Sequence, residues 1–373
     1  MPKVCHKLAS AAVKGLPGKV CEANSKLLRL IKNLYGSCVT EFFRENMRHQ
    51  NIELLRFLAA LTVVHFHAVG ALRSESFSDI ESNPFTELGA AGVDLFFVIS
   101  GFVIFLSATR KSHSPIEFAR DRLVRLVPGY WIVTVIHTVI LASVANLRGT
   151  EVPFDFFWTI QSLFFVSQPL GNNLPVISQG WSLEIEMLFY LLVAVGLIIK
   201  NPIAKIVFPA VALISLVGFG LLPDLALEFI FGGLLGYTYA RIKFPPPVAI
   251  GAGVIGIILF VAPVTLGTVD APRWVTWGVP SMLVVFSAIN LPQLNWKILP
   301  TLGAASYPVY LLHMIVINIV SPIVSIFGSS TPLFFVALAS CLILSQLLGI
   351  FFDKLVDKPI SRFLKARIRK PIA

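Results

Sequence analysis

Long apolar segments recur along the chain at lengths that suit a lipid bilayer, and this feature restricts the fold more than any other. A helix needs about 20 mainly apolar residues to cross the hydrocarbon core of a membrane. The composition agrees, because 56% of the 373 residues are hydrophobic and only 13% are charged, against about 25% charged in soluble domains. Ten spanning helices are predicted, near residues 54–72, 89–107, 128–147, 183–199, 204–222, 225–240, 247–264, 274–291, 305–326 and 333–356. We therefore expect an all-α, polytopic integral membrane protein.

The Lys and Arg residues predict the orientation of these spans. With the N-terminus placed in the cytoplasm, all but three of the 30 Lys and Arg residues fall on the cytoplasmic side, the exceptions being Arg73, Arg148 and Arg273. This asymmetry follows the positive-inside rule and predicts that both termini are cytoplasmic. The net charge of +10 is then a consequence of topology, so a bilayer rather than a nucleic acid is the expected partner.

The chain divides into three predicted regions: a basic cytoplasmic extension at 1–50, a ten-helix membrane domain at 51–362 and a basic cytoplasmic tail at 363–373. Within the extension, residues 26–35 (KLLRLIKNLY) have the basic amphipathic pattern of helices that lie on anionic membranes. The alternative is an extension without a function. Residues 154–168 are apolar but too short to span, which predicts a re-entrant or interfacial segment.

Two ionisable residues of the first predicted span, Arg56 and His67, indicate a functional site, because charged groups are costly inside a bilayer. Their positions differ by eleven residues, about three helical turns, so both side chains share one face with a rise of ~16 Å between them. Glu53 lies on nearly the same face, whereas His65 points to the opposite side. One stripe of the helix therefore carries an anion-binding group near the inner surface and a base further out.

The predicted topology sorts the other polar residues of the spans into two layers. The outer layer joins His67 to three carboxylates, namely Asp94, Glu184 and Glu186. The inner layer joins Arg56 to a pair of arginines three residues apart, Arg122 and Arg125. Such a pair faces one way on a helix, and paired guanidiniums suit phosphate recognition. The layers predict that a phosphorylated donor binds on the inner side and meets an acceptor and a base further out.

Five short motifs occur in order along the chain. They are Arg56 with His67 eleven residues later, GVDLFFVISGF at 92–102, Arg122-x-x-Arg125, WSLEIEMLFY at 181–190 and SYPVYLLH at 306–313. On this pattern of spans and motifs the chain resembles the acyltransferase 3 family of integral-membrane O-acyltransferases that modify bacterial polysaccharides. The resemblance runs from about Ile52 to Arg362. Glu184 departs from it, since the family usually has a small or polar residue there, which leaves open whether Glu184 or Glu186 is the active carboxylate.

The resemblance implies a membrane-bound enzyme of the bacterial inner membrane. It would transfer an acyl group, acetyl foremost, from cytoplasmic acyl-CoA to a hydroxyl of a cell-surface polysaccharide or a lipid-linked oligosaccharide, beside polysaccharide-biosynthesis proteins. The donor phosphates would bind three arginines, Arg56, Arg122 and Arg125. His67 would act as a general base or a transient acyl carrier, with Asp94 or Glu186 orienting its ring. Acyl-CoA would be a co-substrate, and no permanently bound cofactor or metal is expected.

Several residues also have purely structural explanations. Five side chains of the motifs fit either an acceptor site or a structural role: Trp181, Ser182, Glu184, Tyr307 and His313. The positive-inside rule alone also explains Arg122 and Arg125. Three glycines are predicted to permit close helix packing, Gly232, Gly233 and Gly236.

Two other classes of protein compete with the enzyme. A membrane transporter or flippase for a small molecule or glycolipid would use the same polar stripe as a substrate path. Many transporters have broken helices in corresponding positions of both halves, whereas the prolines within spans, Pro209, Pro280 and Pro322, show no such pairing. The third possibility is a structural subunit of a polymer-synthesis complex, in which changes to the motifs would leave function intact.

Overall fold

Residues 49–75, 77, 84–109, 114–151, 155–171, 174–201, 203–266 and 271–368 are described by the computed structural model. Within these ranges every regular element is a helix, which confirms the all-α prediction. The predicted amphipathic segment 26–35, nearly all of the extension and the end of the basic tail lie outside the described residues.

Twelve α-helices follow one another in the described part of the chain. They are α1 Gln50–Glu75, α2 Gly92–Ala108, α3 Pro115–Arg148, α4 Phe156–Leu163, α5 Trp181–Gly196, α6 Ala204–Gly218, α7 Glu228–Tyr239, α8 Pro246–Leu266, α9 Val279–Asn290, α10 Leu299–Ser325, α11 Thr331–Phe352 and α12 Lys358–Ile368. A π-helical turn, Trp274–Gly278, leads into α9, and a second, Asp353–Asp357, joins α11 to α12.

Several helices have the length and composition of membrane spans. Among the described residues, five stretches are long and apolar enough to cross a bilayer: Gln50–Ser74, Pro115–Leu147, Pro246–Leu266, Leu299–Ser325 and Thr331–Arg367. Three shorter apolar stretches accompany them: Gly92–Ala108, Ala204–Gly218 and Trp274–Asn290. These helices support the prediction of a membrane protein, while the count of ten spans stays a prediction. In the segment predicted to be re-entrant, the described residues 155–168 include one helix, the eight-residue α4.

Helix α3 begins well before the predicted span at 128–147. Its first turn has a capping box, in which the Ser114 side chain accepts a bond from the Glu117 backbone and the Glu117 side chain accepts one in return. Pro128 lies inside the helix and cannot donate to the carbonyl of Val124, four residues earlier. The hydroxyl of Ser361 on α12 donates to that carbonyl instead, at 3.2 Å. The helix therefore continues through the proline, and α12 is held against it.

Helices α1 and α10 run in the same direction. Glu53 near the start of α1 lies against Gly303 near the start of α10. Further along, the rings of His67 and His313 have centroids 5.2 Å apart. Parallel neighbours enter a membrane from the same side, as the predicted topology has the first and ninth spans do.

Two glycines bring the backbones of α2 and α7 into direct contact. A Cβ atom on Gly232 would meet the backbone nitrogen of Phe102 at 2.6 Å, and one on Gly101 would meet the carbonyl carbon of Phe229 at 2.9 Å. Gly236 is similarly close to the side chain of Phe105. The predicted role of glycine in packing is confirmed for Gly232 and Gly236. It is wrong for Gly233, where a Cβ atom would have no neighbour within 4 Å.

Candidate active site

Three arginines and one carboxylate line a single cavity between α1, α2, α3, α5 and α10. Arg56 comes from α1, Arg122 and Arg125 come from α3, and Glu186 comes from α5. Serine and tyrosine side chains supply the rest of the polar lining: Ser100, Ser182, Tyr190, Ser306, Tyr307 and Tyr310. The structure thus brings together the three arginines that the sequence grouped, while their role in donor binding stays a prediction.

The cavity carries more positive than negative charge. Its carboxylate, Glu186, accepts hydrogen bonds through Oε1 from the hydroxyls of Ser100 (2.5 Å) and Tyr190 (2.6 Å). Arg122 is fixed by a bond from its Nη2 to the hydroxyl of Ser107, at 2.8 Å. The described lining has three guanidiniums and one carboxylate, and Glu53 beside Arg56 (Nη1–Oε2 3.7 Å) offsets one further charge. Because positive charge remains in excess, an anionic ligand would be favoured there. Guanidiniums bind phosphate oxygens through paired hydrogen bonds, which makes phosphate a well-matched anion.

The position of Glu186 differs from the prediction of an outer layer separate from the arginines. That prediction assumed that each helix starts at a membrane surface. Instead, α5 begins inside the protein, since Gly180 directly before it is buried. Helix α2 likewise begins beside the middle of α1, with Gly92 against Ala59. A polar residue near the start of such a helix lies deep within the protein. Glu186 therefore lines the same cavity as Arg56.

Glu184 has a different environment from Glu186, two residues later on the same helix. Its carboxylate oxygens accept hydrogen bonds from the backbone N–H groups of Ser167 (2.9 Å) and Gln168 (3.1 Å). The side chain is buried, and it anchors the turn that follows α4. Of the two carboxylates that the sequence left undecided, Glu186 is the one that lines the cavity.

Asp94 forms a buried ion pair with Arg273. The guanidinium donates to both carboxylate oxygens, from Nε at 3.0 Å and from Nη2 at 2.6 Å, and Nη2 also donates to the carbonyl of Ala90 at 3.0 Å. The pair ties the start of α2 to the turn before α9. Asp94 is absent from the described lining of the cavity. Its proposed part in orienting His67 therefore has no contact to support it here and stays an untested prediction.

His67 lies on α1, partly buried, next to His313 on α10. His67 is not one of the described residues that line the cavity. Tyr310 adjoins both regions, because it lines the cavity and its ring centroid lies 6.1 Å from that of His313. Tyr310 therefore connects the cavity lining to His313, the neighbour of His67.

The remaining predicted residues fall in or beside this region. Ser182 and Tyr307 line the cavity, and the Tyr307 hydroxyl donates to the carbonyl of Leu126 at 2.6 Å. Trp181 packs against the main hydrophobic core, which suits a structural role. His313 is fully buried.

Four polar cavity residues were not singled out from the sequence, although each lies within a motif. They are Ser100, Tyr190, Ser306 and Tyr310. Tyr190 follows Glu186 by four residues, and side chains at that spacing meet on one face of a helix. That spacing is the signal that could have identified the bond between them. Ser100 carries no comparable signal, because its partner Glu186 is 86 residues away in the chain.

One protein-family model and several known proteins match this chain. The family model for the acyltransferase domain, Acyl_transf_3, matches residues 49–350. The exopolysaccharide production protein ExoZ of Rhizobium meliloti is 31% identical, over 75% of this chain and 92% of its own length. The peptidoglycan O-acetyltransferase OatA of Listeria monocytogenes is 26% identical, over 74% of this chain and 50% of its own length. The acyltransferase MdmB of Streptomyces mycarofaciens is 32% identical over 37% of this chain and 36% of its own length. No solved structure matches the chain.

Proposed function

The chain belongs to the acyltransferase domain family, and from that premise we propose that it transfers an acyl group, acetyl foremost, from cytoplasmic acyl-CoA to a saccharide hydroxyl across the membrane. Membership confirms the predicted family and enzyme class. The donor, the acceptor and the site are our proposal. The observation that carries it is the meeting of Arg56, Arg122 and Arg125 in one cavity with Glu186.

Acyl-CoA suits this cavity chemically. Its phosphates would pair with the guanidiniums, which remain charged at any physiological pH. The neutral pantetheine arm and the acyl group would extend past the tyrosines toward His67. Glu186 would keep the site from retaining the anionic product too tightly, since it offsets part of the positive charge.

The names of two relatives support a saccharide acceptor, because one is an exopolysaccharide production protein and the other a peptidoglycan O-acetyltransferase. We propose a cell-surface polysaccharide or its lipid-linked precursor as the acceptor of this chain. The enzyme would then work in the bacterial inner membrane beside polysaccharide-biosynthesis proteins.

His67 is proposed to act as the base. A ring nitrogen would remove the proton of the saccharide hydroxyl while the oxygen attacks the thioester carbonyl. The carbon–sulfur bond then breaks, the proton passes from imidazolium to the departing thiolate, and the products are an O-acyl saccharide and CoA thiol. The alternative is a transient acyl-histidine, which the hydroxyl would attack in a second step.

The proposed reaction requires a defined topology, because its donor and its acceptor would lie on opposite sides of the membrane. We propose ten spans with both termini in the cytoplasm. Reporter fusions after Lys111, Lys200 and Lys370 are expected to report the cytoplasm, and fusions after Glu81 and Arg148 the external side. A C-terminus that reports the external side would contradict the ten-span arrangement.

Removing either arginine of α3 is expected to weaken donor binding. Arg122→Ala or Arg125→Ala should raise the KM for acetyl-CoA by about 10- to 100-fold, the loss expected for hydrogen bonds between charged groups. The KM for the acceptor should change little. Lys should restore binding poorly, because an ammonium lacks the planar fork of guanidinium. The measurement is the rate at which purified protein releases CoA at varied acetyl-CoA concentrations.

Arg120 offers a matched control, since it lies on the same turns of α3 and carries the same topological signal, yet is absent from the described cavity lining. Arg120→Ala should keep the parent KM for acetyl-CoA. An unchanged KM in both cavity variants would instead identify Arg122 and Arg125 as topological signals only. The same assay separates the enzyme from a transporter, which would not release CoA from acetyl-CoA in the absence of a gradient.

A further inference from the structure

The tautomer of His313 is determined by its own helix. Its Nδ1 lies 2.8 Å from the carbonyl oxygen of Tyr310 and 3.2 Å from that of Val309. Carbonyl oxygens only accept hydrogen bonds, so Nδ1 must carry the hydrogen. The second nitrogen, Nε2, is then an acceptor with a free lone pair. It is buried and has no hydrogen-bond partner among the described residues.

The ring of His313 adjoins the ring of His67. The two ring centroids are 5.2 Å apart and the ring planes are tilted by 38°. This separation of the ring centroids leaves room for an N–H···N hydrogen bond of about 3 Å between ring nitrogens that face each other.

We infer that His313 is a positioning residue for His67, whose ring N–H it binds through Nε2. The other nitrogen of His67 is then unprotonated and faces the saccharide hydroxyl. This inference rests on the proposed function. It assigns to a neutral imidazole the part that a carboxylate has in Ser-His-Asp triads, which is to select the tautomer and the orientation of the base.

The surrounding contacts support this assignment over the two predicted carboxylates. Asp94 binds Arg273 through both oxygens. Glu186 accepts bonds from Ser100 and Tyr190 in the arginine cavity. His313 is fully buried and adjoins His67. When His67 takes a proton, Nε2 keeps its lone pair and continues to accept from the imidazolium, so the base stays oriented through the reaction.

Two amide substitutions test the roles of the two His313 ring nitrogens separately. His313→Asn places an amide N–H near the position of Nδ1, so it keeps the bonds to the helix carbonyls and loses the acceptor. His313→Gln places an amide oxygen near the position of Nε2, so it keeps the acceptor for His67. We expect H313N to lower kcat by about 10- to 100-fold, the range seen when a metal-binding histidine loses the hydrogen-bond partner of its other ring nitrogen. H313Q should keep most of the parent kcat, and the KM for acetyl-CoA should change in neither.

The assay is acyl transfer by purified protein, with elution of a single sharp peak in detergent as the criterion of folding. A structural role for His313 predicts the reverse order, with H313N active and H313Q impaired. That order, equal activities of the two variants, or an effect on KM alone would overturn the inference. If both variants fail to fold, a wild-type structure with donor bound decides, because a separation above about 4 Å between Nε2 and the nearest His67 nitrogen excludes the bond. Inactive wild-type protein would contradict the proposed function instead.

Discussion

Replacement of His67 by Ala is expected to abolish measurable acyl transfer while membrane insertion and protein yield stay normal. Loss of a general base typically lowers the rate by about 10²–10⁴-fold, and loss of a covalent acyl carrier can lower it further. His67 is only partly buried, so removal of its ring should leave the surrounding core intact. The measurement is the amount of O-acyl product formed at matched concentrations of membrane protein.

Two variants test the assignment of this role to His67. His67→Gln should not restore activity, because an amide can form hydrogen bonds but does not accept a proton at neutral pH. His65→Ala should keep most of the activity, since His65 lies two residues away and points to the other side of α1. An inactive His65→Ala protein together with an active His67→Ala protein would contradict both the helical-face argument and the proposed base.

Replacement of Gly232 by Val is expected to prevent accumulation of folded protein. A Cβ atom at this position would lie 2.6 Å from the backbone nitrogen of Phe102 and 2.8 Å from the Cα of Gly101. These are backbone atoms of α2, which cannot move aside as a flexible side chain can. Overpacking of a core typically costs about 1–3 kcal/mol, and a clash between two backbones should exceed that range. The measurement is the yield of protein that elutes as a single peak after extraction from membranes.

Gly233 provides the control within the same helix. A Cβ atom there would have no neighbour within 4 Å, so Gly233→Val should give the parent yield. Both substitutions change helix propensity in the same way, and the difference between them therefore reports the contact of α7 with α2. Equal yields of the two variants would show that α2 and α7 are not packed at this distance.

Much of the fold can be predicted from the sequence where a helix is long and apolar throughout. Helices α10 and α11 are of this kind, and apolar length alone identifies them. The start of α3 is not, because its charged first turns interrupt the apolar pattern that defined the span at 128–147. A local signal was nevertheless present in the capping box of Ser114 and Glu117, which marks a helix start independently of hydropathy.

The candidate site likewise contains residues that could be grouped from the sequence and residues that could not. Arg56, Arg122 and Arg125 could be grouped from helical spacing and topology, which depend on local geometry and on the charge of the loops. The place of Glu186 beside these arginines could not, because it depends on α5 beginning inside the protein, next to the buried Gly180. The partner of Asp94 could not either, because Arg273 is 179 residues away in the chain and the predicted topology places it in an external loop. Such contacts arise from packing between helices, which hydropathy does not encode.

We propose that this protein places an acyl ester on a cell-surface saccharide by means of His67. The most direct test deletes the gene, restores it as wild type or as His67→Ala, and compares surface glycans by mass spectrometry. We predict that deletion removes one acyl mass, that of acetyl in the first instance, from each repeat unit. Wild type should restore this mass and His67→Ala should not, at equal protein levels. Glycans that keep their full acylation after deletion, or regain it with His67→Ala, would contradict the claim.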